Sequence, residues 1–168
     1  MITTHRYGQA MNRYGQAMKG LTEYATSVVR LFPDYAGSAI WFWEPVPYEV
    51  TGLSSDLVRD LQAWEESYYG GLDAYAWRSA DLGDAFAAEG KRLAHRLASE
   101  LGDEFAVEYD VLAEPGRRRV RGPGPPRNPA AAAAFRELAA EARAEHARIT
   151  KIVDQARRDG DPLEWRAY

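Results

Sequence analysis

The sequence contains no cysteine. That absence removes disulfides, thiolate nucleophiles and Cys-ligated zinc or iron–sulfur sites. Small secreted domains commonly depend on disulfides, so a cysteine-free chain leans toward a reducing compartment, and the cytoplasm is expected. Histidine is scarce as well. His5, His95 and His146 are the full set, with no HExxH and no pair at ligand spacing, so no metal site is expected. No apolar run approaches the roughly 20 residues that span a bilayer. The opening MITTHRYGQAMNRYGQAMKG has no apolar stretch of the kind a secretory signal carries, so none is expected. GxSxG, GxGxxG and Walker A patterns are absent too. Gly122-Pro123-Gly124 sits among prolines, which lack the N–H groups a phosphate cradle requires. No cofactor is expected.

What is present fits one globular domain. The chain has 168 residues, 46% hydrophobic and 27% charged, enough to bury one sizeable core. The net charge of −4 hides a strong asymmetry. Residues 31–90 hold eleven acidic residues against Arg59 and Arg78, a local charge of −9, while the two flanks together carry +5. Such an imbalance concerns partners rather than fold.

Residues 1–20 carry RYGQAM twice, at 6–11 and 13–18. Two copies do not make a repeat architecture. They fit a tolerant duplication or a small helical docking arm whose Tyr7 and Tyr14 share a face. TSVVRLF, stopped by Pro33, reads as a strand, and Ala39–Trp43 as a second one paired antiparallel to it. The two prolines of EPVPY demand irregular or edge structure. Ser54 and Asp56 mark a helix start. Leu57, Leu61, Trp64 and Tyr68 form its stripe, and Gly70-Gly71 its end. Residues 72–83 read as a loop or short helical turns. A second helix is expected over about Asp84–Leu101, closed by Gly102. Phe105, Val107, Tyr109 and Val111 then alternate as a strand with one buried face. Prolines and arginines dominate 113–129, which reads as a linker. A long helix follows over about Ala130–Arg158, with Phe135, Leu138, Ala142, Ile149 and Ile152 in its stripe. It docks on the domain or pairs with a second chain. The expected fold is therefore α+β: a β-β-α-α-β domain, with a three-stranded, mostly antiparallel sheet on two helices, plus a long C-terminal helix. The divisions are an arm at 1–20, a compact domain at 21–112, a linker at 113–129, and a helix and tail at 130–168.

Half of all aromatics fall in 43 residues, from Tyr35 to Trp77. Adjacent side chains on a strand point oppositely, so Trp41 and Trp43 share a face and Phe42 takes the other. Tyr68 and Tyr69 likewise cannot share one helix stripe. Some of this ring surface is covered by another element, or else is open for recognition, where Trp and Tyr are frequent anchors. The acidic residues overlap the same stretch. An acidic, ring-studded surface suits a basic protein partner, because opposite charge speeds encounter. Trp41, Trp43, Glu65, Glu66, Tyr69 and Trp77 are the candidate contact residues. No catalytic residue is assigned.

Two alternatives stay open. A hydrolase without a recognisable motif would draw on Asp56, Asp60, Glu89 and His95. A nucleic-acid binder would use Arg117, Arg118, Arg119, Arg121 and Arg127.

VVRLFPDYAGSAIWFW, LSSDLVRDLQAWEESYY and EGKRLAHRLASELGDEFAVEYDV together resemble small uncharacterised proteins common in high-GC actinobacteria, over Val28–Val111. The resemblance rests on hydrophobic spacing and implies no activity. The reading of function is a non-catalytic intracellular protein-binding module, in its sharper form an inhibitor or immunity-type protein for a basic partner. Dimerisation through the C-terminal helix is a further expectation. Nucleic-acid or membrane partners are not expected.

Overall fold

The computed structural model describes residues 27–33, 37–42, 44–73, 76–110 and 117–159. The duplicated RYGQAM segment, Tyr35, Trp43, Tyr75 and the final nine residues lie outside them.

The sheet begins with β1 (Val28–Leu31) and β2 (Ile40–Trp41), paired antiparallel as the sequence suggests, with Leu31 opposite Ile40 and Arg30 opposite Trp41. Gly37 turns between them at φ +72°. β2 is cut short because the chain doubles back through its prolines. Trp41 bridges Pro45, and the Val46 N–H donates to the Ile40 carbonyl at 2.8 Å. A 3₁₀ turn at Tyr48–Val50 leads on to Ser54.

Helix α1 (Ser55–Gly71) starts where the sequence indicates, with the Ser54 hydroxyl accepting from the Leu57 N–H. Two short strands, β3 (Leu72–Asp73) and β4 (Ala76–Trp77), form a hairpin in the stretch read as loop or helical turns. Helix α2 (Ala80–Leu101) begins four residues earlier than expected, because Ser79 caps it. Gly102 closes it at φ +79°, and an added Cβ there would lie 2.7 Å from the Pro126 nitrogen.

β5 (Ala106–Asp110) pairs parallel with β1. Parallel neighbours need a long crossover, and α1 with α2 supplies it. The expected sheet had three strands, and here the structure corrects the expectation. A fourth, β6 (Arg117–Val120), pairs antiparallel with β5, giving the order β2-β1-β5-β6. Three consecutive arginines flanked by glycine and proline resemble a solvated linker. Edge strands tolerate such charge, and Arg117 and Arg119 reach Glu108 of β5.

The last helix, α3 (Pro129–Asp159), packs its first three turns onto the core. Alternation puts Val29, Leu31, Val107 and Tyr109 on one face of the sheet. Leu57, Leu61, Leu93, Leu97 and Leu101 cover that face, each fully buried. Each such leucine contributes roughly 1.5–3 kcal/mol. Phe42, Phe105 and Phe135 meet edge to face, with ring centroids 5.9–6.3 Å apart. The long helix therefore supplies a core ring from 93 residues beyond Phe42 in sequence.

Candidate protein-binding surface

The ring side chains gather at the end of the molecule where α1 stops, the β3–β4 hairpin turns and α2 starts. Trp64 stacks on Phe86 at 4.5 Å and 10°, and its indole N–H donates to the Phe86 carbonyl at 3.0 Å. Tyr68 packs against Phe86 and Trp77, and Tyr69 meets Tyr68 edge to face at 5.4 Å. Trp77 reaches across the hairpin to Phe86 at 5.0 Å. Three glycines make room for these rings. A Cβ on Gly71 would lie 2.6 Å from the Trp77 ring, one on Gly83 3.2 Å from it, and one on Gly90 2.7 Å from Trp64. Arg78 donates to the Gly70 carbonyl and so closes the hairpin onto the end of α1.

The layer grades from inside to outside. Trp64 is buried, while Tyr68, Trp77 and Phe86 are half-buried. Tyr69, near the end of α1, is 37% exposed, and Leu82, on the first turn of α2, is 41% exposed. Around them Glu66, Asp73, Asp81 and Asp84 stand exposed and Glu65 half-exposed. Negative charge and ring surface thus share one end of the fold. Asp81 also lies in the first turn of α2, where the helix dipole favours a carboxylate.

Of the six predicted contact residues, Tyr69 and Trp77 meet here through Tyr68, and Glu66 is exposed on the last turns of α1, whereas the Glu65 carboxylate acts on Tyr48. Trp41 does not join them. It alternates with core-facing Ile40, so it stands on the opposite face of the sheet, stacked on Phe32 at 5.0 Å. Its indole nitrogen is buried and has no hydrogen-bond partner. Trp43 lies outside the described residues. Leu82 was missed by the sequence reading. The glycines at 71 and 83 are the signal that could have found the hairpin, since each leaves a recess for a neighbouring ring.

The candidate hydrolytic groups are occupied differently. Asp56 is exposed and paired with Arg59 at 2.9 Å. Asp60 binds Arg92 at 3.0 Å and also Arg96, while Glu89 holds Arg92 at 2.6 Å. Hydrogen bonds from Arg92 and Arg96 keep the Asp60 carboxyl below the usual carboxylate range, and the bonds that Arg92 donates to Glu89 and Asp60 push its guanidinium further up. This network ties α1 to α2. A general acid needs the opposite shift. Nor do the arginines of 117–121 form an open phosphate track. Arg117 and Arg119 reach the buried Glu108 at 3.3 and 2.7 Å, and Arg121 donates to the carbonyls of Asp103 and Glu104, both at 2.9 Å. Among the described residues no three metal-ligating side chains come together, and no helix is long and apolar enough to cross a membrane.

The fold is a small α+β domain in which exposed ring and carboxylate side chains lie at the end formed by α1, the β3–β4 hairpin and the start of α2. The chain belongs to the Serratia CdiI immunity protein-like family, whose model matches residues 27–111. That span runs from β1 through β5 and coincides with the stretch that carries the resemblance noted from sequence. Comparison with curated proteins and with solved structures yields no match.

Proposed function

We propose that this protein is an immunity-type inhibitor that neutralises a toxin by covering a basic surface of it with the acidic, ring-rich end. Family membership supports the inhibitor role. The observation that carries the choice of surface is that exposed Tyr69, Leu82, Glu66, Asp73, Asp81 and Asp84 all stand on the end of α1, the hairpin and the start of α2, which the Tyr68, Trp77 and Phe86 rings hold together. Complementary charge there speeds encounter and weakens with salt, while the rings hold the complex once water is expelled. Trp77 and Phe86 act beneath, as a stiff bed for Tyr69 and the hairpin. Action in the cytoplasm is part of the same proposal.

The test is growth rescue. Cells expressing a toxin domain that this chain neutralises should grow when the wild-type protein is co-expressed. Tyr69→Ala with Glu66→Lys should weaken the complex by about 30-fold or more, the scale of a single interface hot spot, and rescue should fail at low expression. Undiminished affinity of that double variant, with its melting curve intact, would place the interface elsewhere.

A further inference from the structure

The opposite charge collects on the other half of α2. Lys91, Arg92, His95 and Arg96 follow one another along its exposed side, lining a shallow depression of about 530 Å³ that ends at Ser99. A second depression of about 410 Å³ shares Arg96 and Ser99 with the first and continues to Arg127. The Arg127 N–H donates to the Ser99 carbonyl at 3.1 Å, which fixes that arginine at the end of the row. The two depressions therefore form one trough. Its walls are apolar helix surface and side-chain stems, and its rim carries Lys91, Arg92, Arg96 and Arg127, with one carboxylate, Glu100, already held by Ser54 and Asn128.

The cations differ in what they already hold. Arg92 and Arg96 are engaged by Asp60 and Glu89. The side chains of Lys91, His95 and Arg127 form no hydrogen bond or ion pair among the described residues, and all three residues are exposed. Since Arg92 and Arg96 are engaged by their partners, the trough offers two available positive groups, Lys91 and Arg127, with the His95 imidazole between them as a further hydrogen-bonding group. A nucleic-acid strand derives its affinity from many phosphate contacts at once. So short a row suits a ligand with two or three carboxylates.

Spacing supports the same choice. Lys91 and His95 are four residues apart on a helix, about 6 Å along its axis. In an extended peptide, alternate residues are about 6.6 Å apart and point the same way. The run from Lys91 to Ser99 is about 12 Å, and Arg127 extends it, which accommodates about five extended residues.

We infer that the α2 trough is a second interaction surface, which takes an extended acidic polypeptide segment with carboxylates on alternate residues. It lies apart from the toxin-facing end and does not depend on that reading.

The experiment is fluorescence anisotropy on the full chain, with a labelled Glu-Ser-Glu-Ser-Glu-Ser peptide and, in parallel, a labelled single-stranded hexanucleotide. The peptide should bind at low ionic strength and lose about tenfold in affinity between 20 and 200 mM salt, since exposed charges are screened over that range. Lys91→Glu with Arg127→Glu should lose tenfold or more in peptide affinity, with the far-UV spectrum and toxin rescue unchanged. Lys91→Ala with Arg127→Ala supplies the same comparison should the charge reversal fail to fold. No peptide binding, or binding indifferent to both double variants, overturns the inference. Tighter binding of the hexanucleotide than of the peptide also overturns it and assigns the trough to a phosphate backbone.

Discussion

A single asparagine holds three helices in register. The Asn128 carboxamide oxygen accepts from the Ala131 N–H and caps α3, while its NH₂ donates to the Gly52 carbonyl and to Glu100, all at 2.9–3.1 Å. Glu100, at the end of α2, in turn accepts from the Ser54 N–H at 3.0 Å and from its hydroxyl, at the start of α1. Asn128→Ala removes the cap and both donations, and is expected to cost about 1–2 kcal/mol in urea denaturation. Asn128→Asp keeps the cap but sets a carboxylate against Glu100, so it should recover little of that loss. Asp60 makes a prediction in pH. Its folded-state value lies below the ordinary 3.8, held there by Arg92 and Arg96. Stability from this pairing is therefore present above pH 3.8 and lost as pH falls through the depressed value. The melting temperature of Asp60→Asn should lie slightly below wild type at pH 6, and the gap should close toward pH 2. The pairing is exposed, so the gap is small. A gap that widens in acid contradicts the assignment.

At the scale of elements, ring and glycine fit each other. Gly90 lets Trp64 lie flat on α2, and a Cβ there would sit 2.7 Å from the indole. Glycine in a helix interior normally costs about 1 kcal/mol against alanine. Here Gly90→Ala should instead destabilise, because the displaced indole loses its stack on Phe86 and its bond to the Phe86 carbonyl. Tryptophan emission should shift red in that variant, and an unchanged spectrum with raised stability would show that the helices give way instead. Phe135 poses the parallel case for α3. It is fully buried against Phe42 and Phe105, and Phe135→Ala is expected to cost about 3–5 kcal/mol by calorimetry or denaturant. Helix starts at Ser54 and Asn128 were legible, because caps are local chemistry. The start of α2 was misplaced because residues 80–83 hold little apolar signal, and the cap at Ser79 outweighed it. β6 was hidden because three arginines look solvated until Glu108 is seen opposite them.

For the whole molecule, the charge asymmetry along the chain becomes an asymmetry in space. The acidic residues of 65–84 mark one end, and Lys91, His95 and Arg127 line the trough on α2. Binding of the toxin should therefore weaken steeply with added salt, and a complex equally tight at 50 and 500 mM would refute an acidic interface. The family match ends at residue 111, yet the core does not. A chain ending at residue 112 lacks β6 and α3, and so exposes Phe42, Phe105 and the β5 edge. It is expected to bind a hydrophobic dye and to lose cooperative melting. Period, caps and composition act over a few residues, and they were enough for the α+β class, the β1–β2 pairing and the three helices. Only the tertiary structure decided that β5 runs parallel to β1, that Arg117–Val120 closes the sheet and that Phe135 completes the core. It also decided that Trp41 stands apart from Tyr69 and Trp77. Those outcomes depend on which distant surfaces meet. Burial and ion pairing are set by contacts between residues far apart in the chain, and no local pattern records them.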